Sequence, residues 1–238
     1  MEILCSNVRA EIEPQVDAMS TLYPKAYRGY PWYENTKCRG PELSARSACV
    51  GAFSRLAINE ACGDCGLCPI EDAYTQTECR DMFRGLLDEG AAFYTERDGD
   101  GRLLLASVGV AKAADGLIAE AYRDNAPMQT WLRMNVPRGN VLYLSDTFAD
   151  LEARPRGNLA NRGNSIRDMG RLLGLSQAFA MTISPAIVAS TLRAFPEAKL
   201  YLPAPEQRSE WNDGLRQFAG CASGEIKDRR AALLWTID

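Results

Sequence analysis

Six of the eight cysteines in this chain of 238 residues lie between positions 38 and 79. Three of them recur at every third residue among glycines, and another follows after ten intervening residues. The first ten residues lack the features of a secretion signal, so we expect a cytoplasmic, reducing environment in which clustered thiols favour metal binding over disulfides. The predicted ligands are Cys62, Cys65, Cys68 and Cys79, with Cys38 or Cys49 as alternatives for the last.

The spacing of these thiols leaves the identity of the metal open. Three cysteines at two-residue gaps, a remote fourth and a proline directly after Cys68 resemble ferredoxin-like segments that hold an iron–sulfur cluster. Four thiolates also satisfy the closed tetrahedral site of a structural zinc ion. Free thiols or incidental disulfides are the third interpretation.

The chain contains no histidine. Its absence excludes Ser-His-Asp and Cys-His hydrolysis, HExxH zinc chemistry and histidine-ligated haem. Any catalysis must therefore use carboxylates, hydroxyls, thiolates, arginines, backbone dipoles or a bound cofactor. The net charge of -4 argues against a surface that binds nucleic acid through overall positive charge, although a local basic patch is compatible with it.

Residues 152–171 form such a patch, with five arginines and two acidic residues. They follow a long predicted strand, residues 141–151, and lead through a glycine-rich turn into a predicted helix that ends near Gly174. Unpaired N–H groups and the positive dipole at a helix start favour anions, and arginines add full charges. The pattern predicts that an anionic group binds at this turn. The arginines are at positions 154, 156, 162, 167 and 171.

Within the turn, residues 154–160 (RPRGNLA) resemble the pyrophosphate loop of the GNAT superfamily of acyl-CoA-dependent N-acyltransferases, Arg/Gln-x-x-Gly-x-Gly/Ala. Leu159 stands at the last position of that pattern, and Ala160 comes one place later. The resemblance implies an acyl-CoA such as acetyl-CoA as co-substrate and an amine of unidentified kind as acceptor. It implies that the backbone of Phe148, Ala149, Asp150 and Leu151 pairs with pantetheine, and that Arg154, Arg156, Gly157, Asn158, Leu159 and Ala160 hold the pyrophosphate.

Two side chains are candidates for the proton transfers of such a reaction. Asp146, on the long strand, is the candidate base, acting on the amine directly or through water. Its alternative interpretation is a carboxylate at a strand edge that faces solvent. The family often places a tyrosine on its fourth helix as general acid, but this chain has Ser190 and Thr191 in that neighbourhood, so Ser190 is the candidate there.

The elements that must position these residues alternate between strands and helices. A strand and helices precede a hairpin, residues 91–96 and 103–110, joined by the turn Arg97–Gly101. Helices are predicted at 14–22, 42–60 and 76–89, with Pro24 ending the first, and residues 117–122 and 128–134 fit either a strand or a helix. After the turn come strand 178–183, helix 185–195, strand 199–202, helix 206–218 and strand 231–237.

This order predicts an α/β (α+β) fold with a single mixed sheet flanked by helices, and the resemblance implies that the sheet is mostly antiparallel and GNAT-like. One domain, 1–238, includes the cysteine-rich insertion 38–79. No apolar run is long enough for a membrane span. The aromatic residues at 23, 27, 30, 32 and 33 could line a substrate groove or stack on bases, or could pack helices onto the sheet. The alternative to an acyltransferase is an iron–sulfur or zinc protein of nucleic-acid modification or interaction with an inactive core.

Overall fold

The computed structural model describes residues 1–28, 36–38, 53–54, 70–72, 74–121, 126–150, 152, 162–182, 185–202 and 231–237. Its strands are β1 (Glu2–Ser6), β2 (Thr36–Cys38), β3 (Phe53–Ser54), β4 (Ile70–Asp72), β5 (Ala92–Arg97), β6 (Leu103–Ala113), β7 (Asn140–Ala149), β8 (Gln177–Thr182), β9 (Lys199–Tyr201) and β10 (Ala231–Thr236). Its helices are α1 (Arg9–Arg28), α2 (Gln76–Asp88), α3 (Ala114–Ala121), α4 (Ala126–Asn135), α5 (Arg162–Leu173) and α6 (Pro185–Ala194).

Seven of the described strands form one sheet in the order β1-β5-β6-β7-β8-β10-β9. All neighbours in it are antiparallel except β7 and β8, which run parallel. The parallel pair is connected through α5, as a parallel connection requires a crossover. The prediction of a mixed, mostly antiparallel sheet flanked by helices is confirmed.

Helices cover both faces of this sheet. One face packs against α1 and α2 through a core that includes Phe83 and Phe93, and against α3 and α4 through a second core around Phe179. The other face packs against α5 and α6, where Ile166, Met169 and Phe195 meet the strands. We call the side of the sheet that packs against α1 to α4 the α1 face, and the side that packs against α5 and α6 the α5 face.

Helix α1 differs from its prediction at both ends. The sequence predicted a helix that starts at Pro14 and is broken by Pro24, whereas α1 begins at Arg9 and continues through both prolines to Arg28. A proline in a helix interior costs about 3 kcal/mol because it removes a hydrogen bond and crowds the preceding turn. A buried face at helical spacing compensates for this cost, and it consists of Ile12, Val16, Met19, Tyr23 and Tyr27.

Helix α2 agrees with the helix predicted at residues 76–89. Thr75 caps it, because its hydroxyl accepts a hydrogen bond from the Glu78 amide while the Glu78 carboxylate accepts one from the Thr75 amide. This capping box satisfies donors that a helix start leaves unpaired. Phe83 and Leu87 lie on the buried side and hold α2 against α1 and the sheet.

The hairpin, the long strand and the later elements are also confirmed. β5 and β6 pair across the predicted turn, where Asp98 accepts hydrogen bonds from the Asp100 and Arg102 amides. The two ambiguous segments after β6 are helices, α3 and α4, because their apolar residues are buried on one side against the sheet. The helix predicted at 206–218 lies outside the described residues.

A second, three-stranded sheet has the order β3-β2-β4. It corrects the helix predicted for residues 42–60, because Phe53 and Ser54 pair with Lys37 and Thr36 as an antiparallel strand. The remaining residues of that predicted helix lie outside the described ranges. No helix in the described ranges is long and apolar enough to span a bilayer.

Candidate functional site

The site begins at an irregularity in β7. Val108 of β6 pairs with Asp146, whereas the next residue, Gly109, pairs with Leu144, so Ser145 is an extra residue opposite this step. Such a bulge changes which residues of a strand face each side of the sheet. Leu142 and Leu144, before the bulge, contribute to the core of the α5 face, whereas Phe148, beyond it, contributes to the core of the α1 face.

The bulge coincides with the place where β7 and β8 separate. Their parallel pairing comprises three residue pairs and ends at Leu144 and Ala180, although β7 continues to Ala149 and β8 to Thr182. Beyond Leu144, β7 pairs with β6 along one edge, and no described strand pairs with its other edge. The two central strands therefore leave a gap in the middle of the sheet.

Asp146 lies at this gap and is held by hydroxyl groups. Tyr23 and Tyr27 of α1 donate hydrogen bonds to its Oδ1 at 3.0 Å and 2.8 Å. Ser145 donates to Oδ2 at 2.6 Å. Hydrogen bonds to an ionised acceptor are stronger than neutral ones, and three donors fix the orientation of this carboxylate. Asp146 is half-buried, and these three donors hold its carboxylate in one place.

The two tyrosines are fixed in turn by aromatic packing. The Tyr23 ring lies 4.4 Å from the Tyr27 ring and meets Tyr74, Phe83 and Phe148 edge-on at 5.1–5.6 Å. Both tyrosines are less than a tenth exposed. Tyr23 and Tyr27 therefore pack α1 onto the sheet, which is one of the predicted alternatives for this segment, and their hydroxyls also bond to Asp146.

A cavity of about 170 Å³ occupies the gap. A cavity of this size has room for several water molecules or for a small organic group. Its walls come from both faces of the sheet and from the two separating strands. They include Tyr23, Tyr27, Asp146, Arg162, Thr182 and Ile187.

Arg162, the first residue of α5, is the second charged group on the cavity wall. It is 4% exposed, and its Nη1 donates a hydrogen bond to the hydroxyl of Thr191 on α6. Its Nε is buried and has no hydrogen-bond partner among the described residues. Burial lowers the pKa of Arg162 to about 10, which still leaves the guanidinium charged at neutral pH.

The residues predicted to bind acyl-CoA lie in part at this gap. Asp150 directs its amide to the Leu104 carbonyl of β6 at 2.8 Å, and its carboxylate pairs with Arg102 at 2.5 Å. Because neighbouring residues of a strand direct their N–H groups to opposite edges, Phe148 points its amide to β6 as well, and Ala149 points its amide to the gap. The remaining predicted binding residues lie outside the described ranges: Leu151, Arg154, Arg156, Gly157, Asn158, Leu159 and Ala160.

Two other predicted site residues, Ser190 and Cys79, are not among those that line the cavity. Ser190 is half-buried on α6, and its hydroxyl donates to the carbonyl of Ile187 at 3.0 Å. Cys79, a predicted metal ligand, is 1% exposed and belongs to the core of the α1 face. Cys62, Cys65 and Cys68 lie outside the described residues. The described residues contain no cluster of three or more metal-ligating side chains.

Sequence reasoning predicted Asp146 but not the groups that position it. Tyr23 and Tyr27 are 123 and 119 positions away from Asp146 in the chain, so no local pattern links them. Arg162 was counted among the basic residues of the turn, but its burial could not be read from that cluster. A basic residue at the first position of a helix, where the helix dipole disfavours it, was the available signal.

Comparison with known proteins places this architecture in a known fold. No protein-family model matches the sequence. No curated protein matches it either. Among solved structures, the polyamine N-acetyltransferase of Drosophila melanogaster is similar with a TM-score of 0.50 and 14% identity, covering 99% of each chain. A GNAT superfamily phosphinothricin acetyltransferase from Sinorhizobium meliloti, solved in complex with AcCoA, has a TM-score of 0.48 and 14% identity, covering 100% of this chain and 89% of its own.

The likeness to the polyamine N-acetyltransferase shows that the described residues share that enzyme's fold, in agreement with the predicted GNAT-like sheet. At 14% identity the likeness defines the fold alone.

Proposed function

We propose that this protein transfers an acyl group from an acyl-CoA to an amine. The observation that carries this proposal is the Asp146 carboxylate, which two buried tyrosines and Ser145 hold on the wall of a cavity between two separating central strands. A fixed carboxylate can accept the proton that an amine loses when it attacks a carbonyl. The gap supplies an unpaired strand edge along which an acyl-CoA can bind.

The reaction balances without a covalent enzyme intermediate. The amine nitrogen attacks the thioester carbonyl, and a C–N bond forms while Asp146 accepts a proton from the nitrogen, directly or through water. The C–S bond then breaks, and the thiolate leaves with its electron pair and takes a proton from solvent. Asp146 releases its proton to water, and the products are an amide and a free thiol. No step needs an imidazole, which agrees with the absence of histidine.

The strand edge also supplies a group for the developing oxyanion. Beyond the bulge, the amides of Thr147 and Ala149 point to the gap, because Asp150 and its alternate neighbours bond to β6. A preorganised backbone N–H that stabilises charge only in the transition state typically contributes about 10²–10³-fold to the rate. The proposal assigns this role to the amides of β7 that follow Ser145.

Two measurements test the proposal. Titration calorimetry with acetyl-CoA and with free CoA should show binding, and mass spectrometry should detect acetylated amine in a mixture of primary amines incubated with acetyl-CoA. An Asp146→Asn variant should bind acetyl-CoA normally but transfer slowly. The proposal fails if the folded protein binds no acyl-CoA, of short or long chain.

The predicted cysteine-ligated metal site is part of the proposed function and is tested separately. Three of its four ligands lie outside the described residues, so the sequence alone supports it. Native mass spectrometry should report bound zinc or an iron–sulfur cluster in the protein as purified without oxygen. The Cys65→Ser variant should lack the mass of the bound metal and should melt at a lower temperature. Cys5→Ser serves as the control. An unchanged metal content in Cys65→Ser would show that the predicted set of ligands is wrong.

A further inference from the structure

The cavity holds two charged groups of opposite sign that come from opposite faces of the sheet. Asp146 reaches it from the α1 face, where three hydroxyl groups already bond to its carboxylate. Arg162 reaches it from the α5 face, where its Nη1 donates a hydrogen bond to Thr191. Among the described residues no carboxylate forms an ion pair with its guanidinium, and its buried Nε has no hydrogen-bond partner. The described residues thus supply three hydrogen bonds to the Asp146 carboxylate, whereas they leave part of the hydrogen-bonding capacity of Arg162 unused.

The position of Arg162 is unfavourable unless an anion joins it. Taking a guanidinium out of water is costly without a countercharge, and the side chain is 4% exposed. Arg162 is also the first residue of α5, where the helix dipole is positive and disfavours a cation. Two independent costs therefore coincide at one residue on the wall of a cavity. Both are relieved by the same event, the entry of a negatively charged group.

The chemistry of the site favours a carboxylate over a phosphate of the acyl-CoA. A planar guanidinium matches the two oxygens of a carboxylate, and one negative charge neutralises one buried positive charge. A pyrophosphate would bring excess negative charge into a cavity of about 170 Å³ whose wall already carries Asp146. The predicted pyrophosphate loop, residues 154–160, contains two arginines and is the more suitable place for it.

We infer that the acceptor is a small amino acid, whose carboxylate binds Arg162 while its amino group meets Asp146. This inference rests on the proposed function and narrows it to a substrate class. The two charges on the cavity wall are complementary to the two ends of a zwitterion. A simple amine would leave Arg162 buried without a countercharge, so the site discriminates against it.

The test compares acceptors that differ only in the carboxylate. Each α-amino acid of a panel, and the β- and γ-amino acids of similar size, is offered beside its own carboxamide with acetyl-CoA as donor. Binding of both compounds is measured by calorimetry without acetyl-CoA. We expect at least one amino acid to bind and to be acetylated about tenfold or more better than its carboxamide, the range expected for a hydrogen bond to a charged group. Carboxamides that bind and react as well as the acids would overturn the inference.

Variants of Arg162 assign the effect to this residue. Arg162→Gln should raise the KM for the amino acid about tenfold or more. Arg162→Lys keeps the positive charge and should raise this KM by less. The KM for acetyl-CoA should stay the same in both. Arg193→Gln, which removes an exposed arginine from α6, is the matched control. A loss of acetyl-CoA affinity in Arg162→Gln with an unchanged KM for the amino acid would show that Arg162 holds a phosphate instead.

The two proposals fail in different ways. If acetyl-CoA does not bind but an amino acid still binds through Arg162, the proposed acyl transfer is wrong and the carboxylate site stands. If acetyl-CoA binds and only amines without a carboxylate are acetylated, the transfer stands and the amino-acid inference is wrong. Because wild-type protein alone gives both results, the test does not depend on Arg162→Gln folding.

Discussion

The two faces of the sheet treat their charged side chains differently. On the α1 face, Asp146 accepts hydrogen bonds from Tyr23, Tyr27 and Ser145, and its position is fixed before any ligand binds. On the α5 face, Arg162 is buried, and Thr191 is its hydrogen-bond partner within the part of the chain that the structure describes. Both side chains line the same cavity.

This difference separates two roles that one site has to combine. A group that moves protons must be held in one place, because misplacement by 1 Å can cost about 10² in rate. A group that selects a ligand has to leave part of its bonding capacity for that ligand, and the unsatisfied part then excludes molecules that cannot supply it. Asp146 on the α1 face is held in one place, and Arg162 on the α5 face keeps bonding capacity for a ligand.

The largest effect is expected from removing the charge on the α1 face. Asp146→Asn keeps the size of the side chain but cannot accept the amine proton, so kcat should fall by about 10²–10⁴. The measurement is the steady-state rate of acetylation at saturating acetyl-CoA. Asp115→Asn, at an exposed position on α3, is the control. A variant at position 146 with nearly wild-type kcat would show that the carboxylate only positions the substrate.

Phe83, which packs against the ring of Tyr23, is expected to contribute mainly to the stability of the fold. Phe83 is fully buried and touches the rings of Tyr23, Phe93 and Phe148. Phe83→Ala should lower the free energy of unfolding by about 3–5 kcal/mol, because it leaves a cavity in the core of the α1 face. Denaturant unfolding measures it. Leu172→Ala, at a side chain 40% exposed on α5, should cost much less. Equal losses in both variants would contradict this packing.

Cys5, which packs against the core of the α5 face, offers a chemical test of burial. Desolvation, with a smaller contribution from the charge of Asp168, raises the pKa of Cys5 from 9.0 to about 11. The thiolate fraction at pH 8 is therefore about a hundredfold lower in the folded chain than in the unfolded chain, and alkylation should slow by about that factor. Peptide mass spectrometry after timed iodoacetamide treatment follows it. Because the pKa is raised, the difference should shrink as the pH increases from 9 to 11. Equal rates in native and denatured protein would contradict the burial of Cys5.

The smallest effect is expected from removing one donor to Asp146. Tyr27→Phe deletes the 2.8 Å hydrogen bond but keeps the ring that packs against Tyr23. The Tyr23 and Ser145 donors remain, so kcat should fall by about tenfold, the effect of one hydrogen bond to a charged group. Tyr201→Phe, on β9, controls for the loss of a tyrosine hydroxyl elsewhere. A larger loss than that of Asp146→Asn would mean that Tyr27 acts on the substrate itself.

The sequence predicted those parts of the fold that depend on neighbouring residues. The turn at residues 97–101 specifies the hairpin, and Thr75 and Glu78 specify the start of α2, because each signal lies within a few residues. The length of α1 was mispredicted since the prolines are local, whereas the buried contacts that compensate for them are with distant strands. Phe53 and Ser54 are strand residues because Thr36 and Lys37 pair with them, which helical spacing could not show.

The candidate site was predictable only as separate pieces. Asp146 was recognised as a carboxylate on a long strand near an anion-binding turn. Its donors come from α1, more than a hundred positions earlier, and the side of the sheet that it faces depends on one extra residue in β7. No periodicity shows whether a strand contains such a residue. The burial of Arg162 likewise follows from the packing of α5 against α6 and not from the arginine-rich segment in which it lies.

The bulge at Ser145 makes the site more sensitive to chain length than to residue type at this position. Replacing Ser145 by alanine removes one donor and leaves the strand register intact. Deleting Ser145 would leave Asp146 opposite Val108 and on the same face of the sheet, yet it would remove the bend in β7 at the point where β7 and β8 separate, and with it the gap that forms the cavity. In a lineage of such proteins, β7 should therefore accept substitutions at this residue more readily than insertions or deletions, the reverse of what is usual for the loops around it.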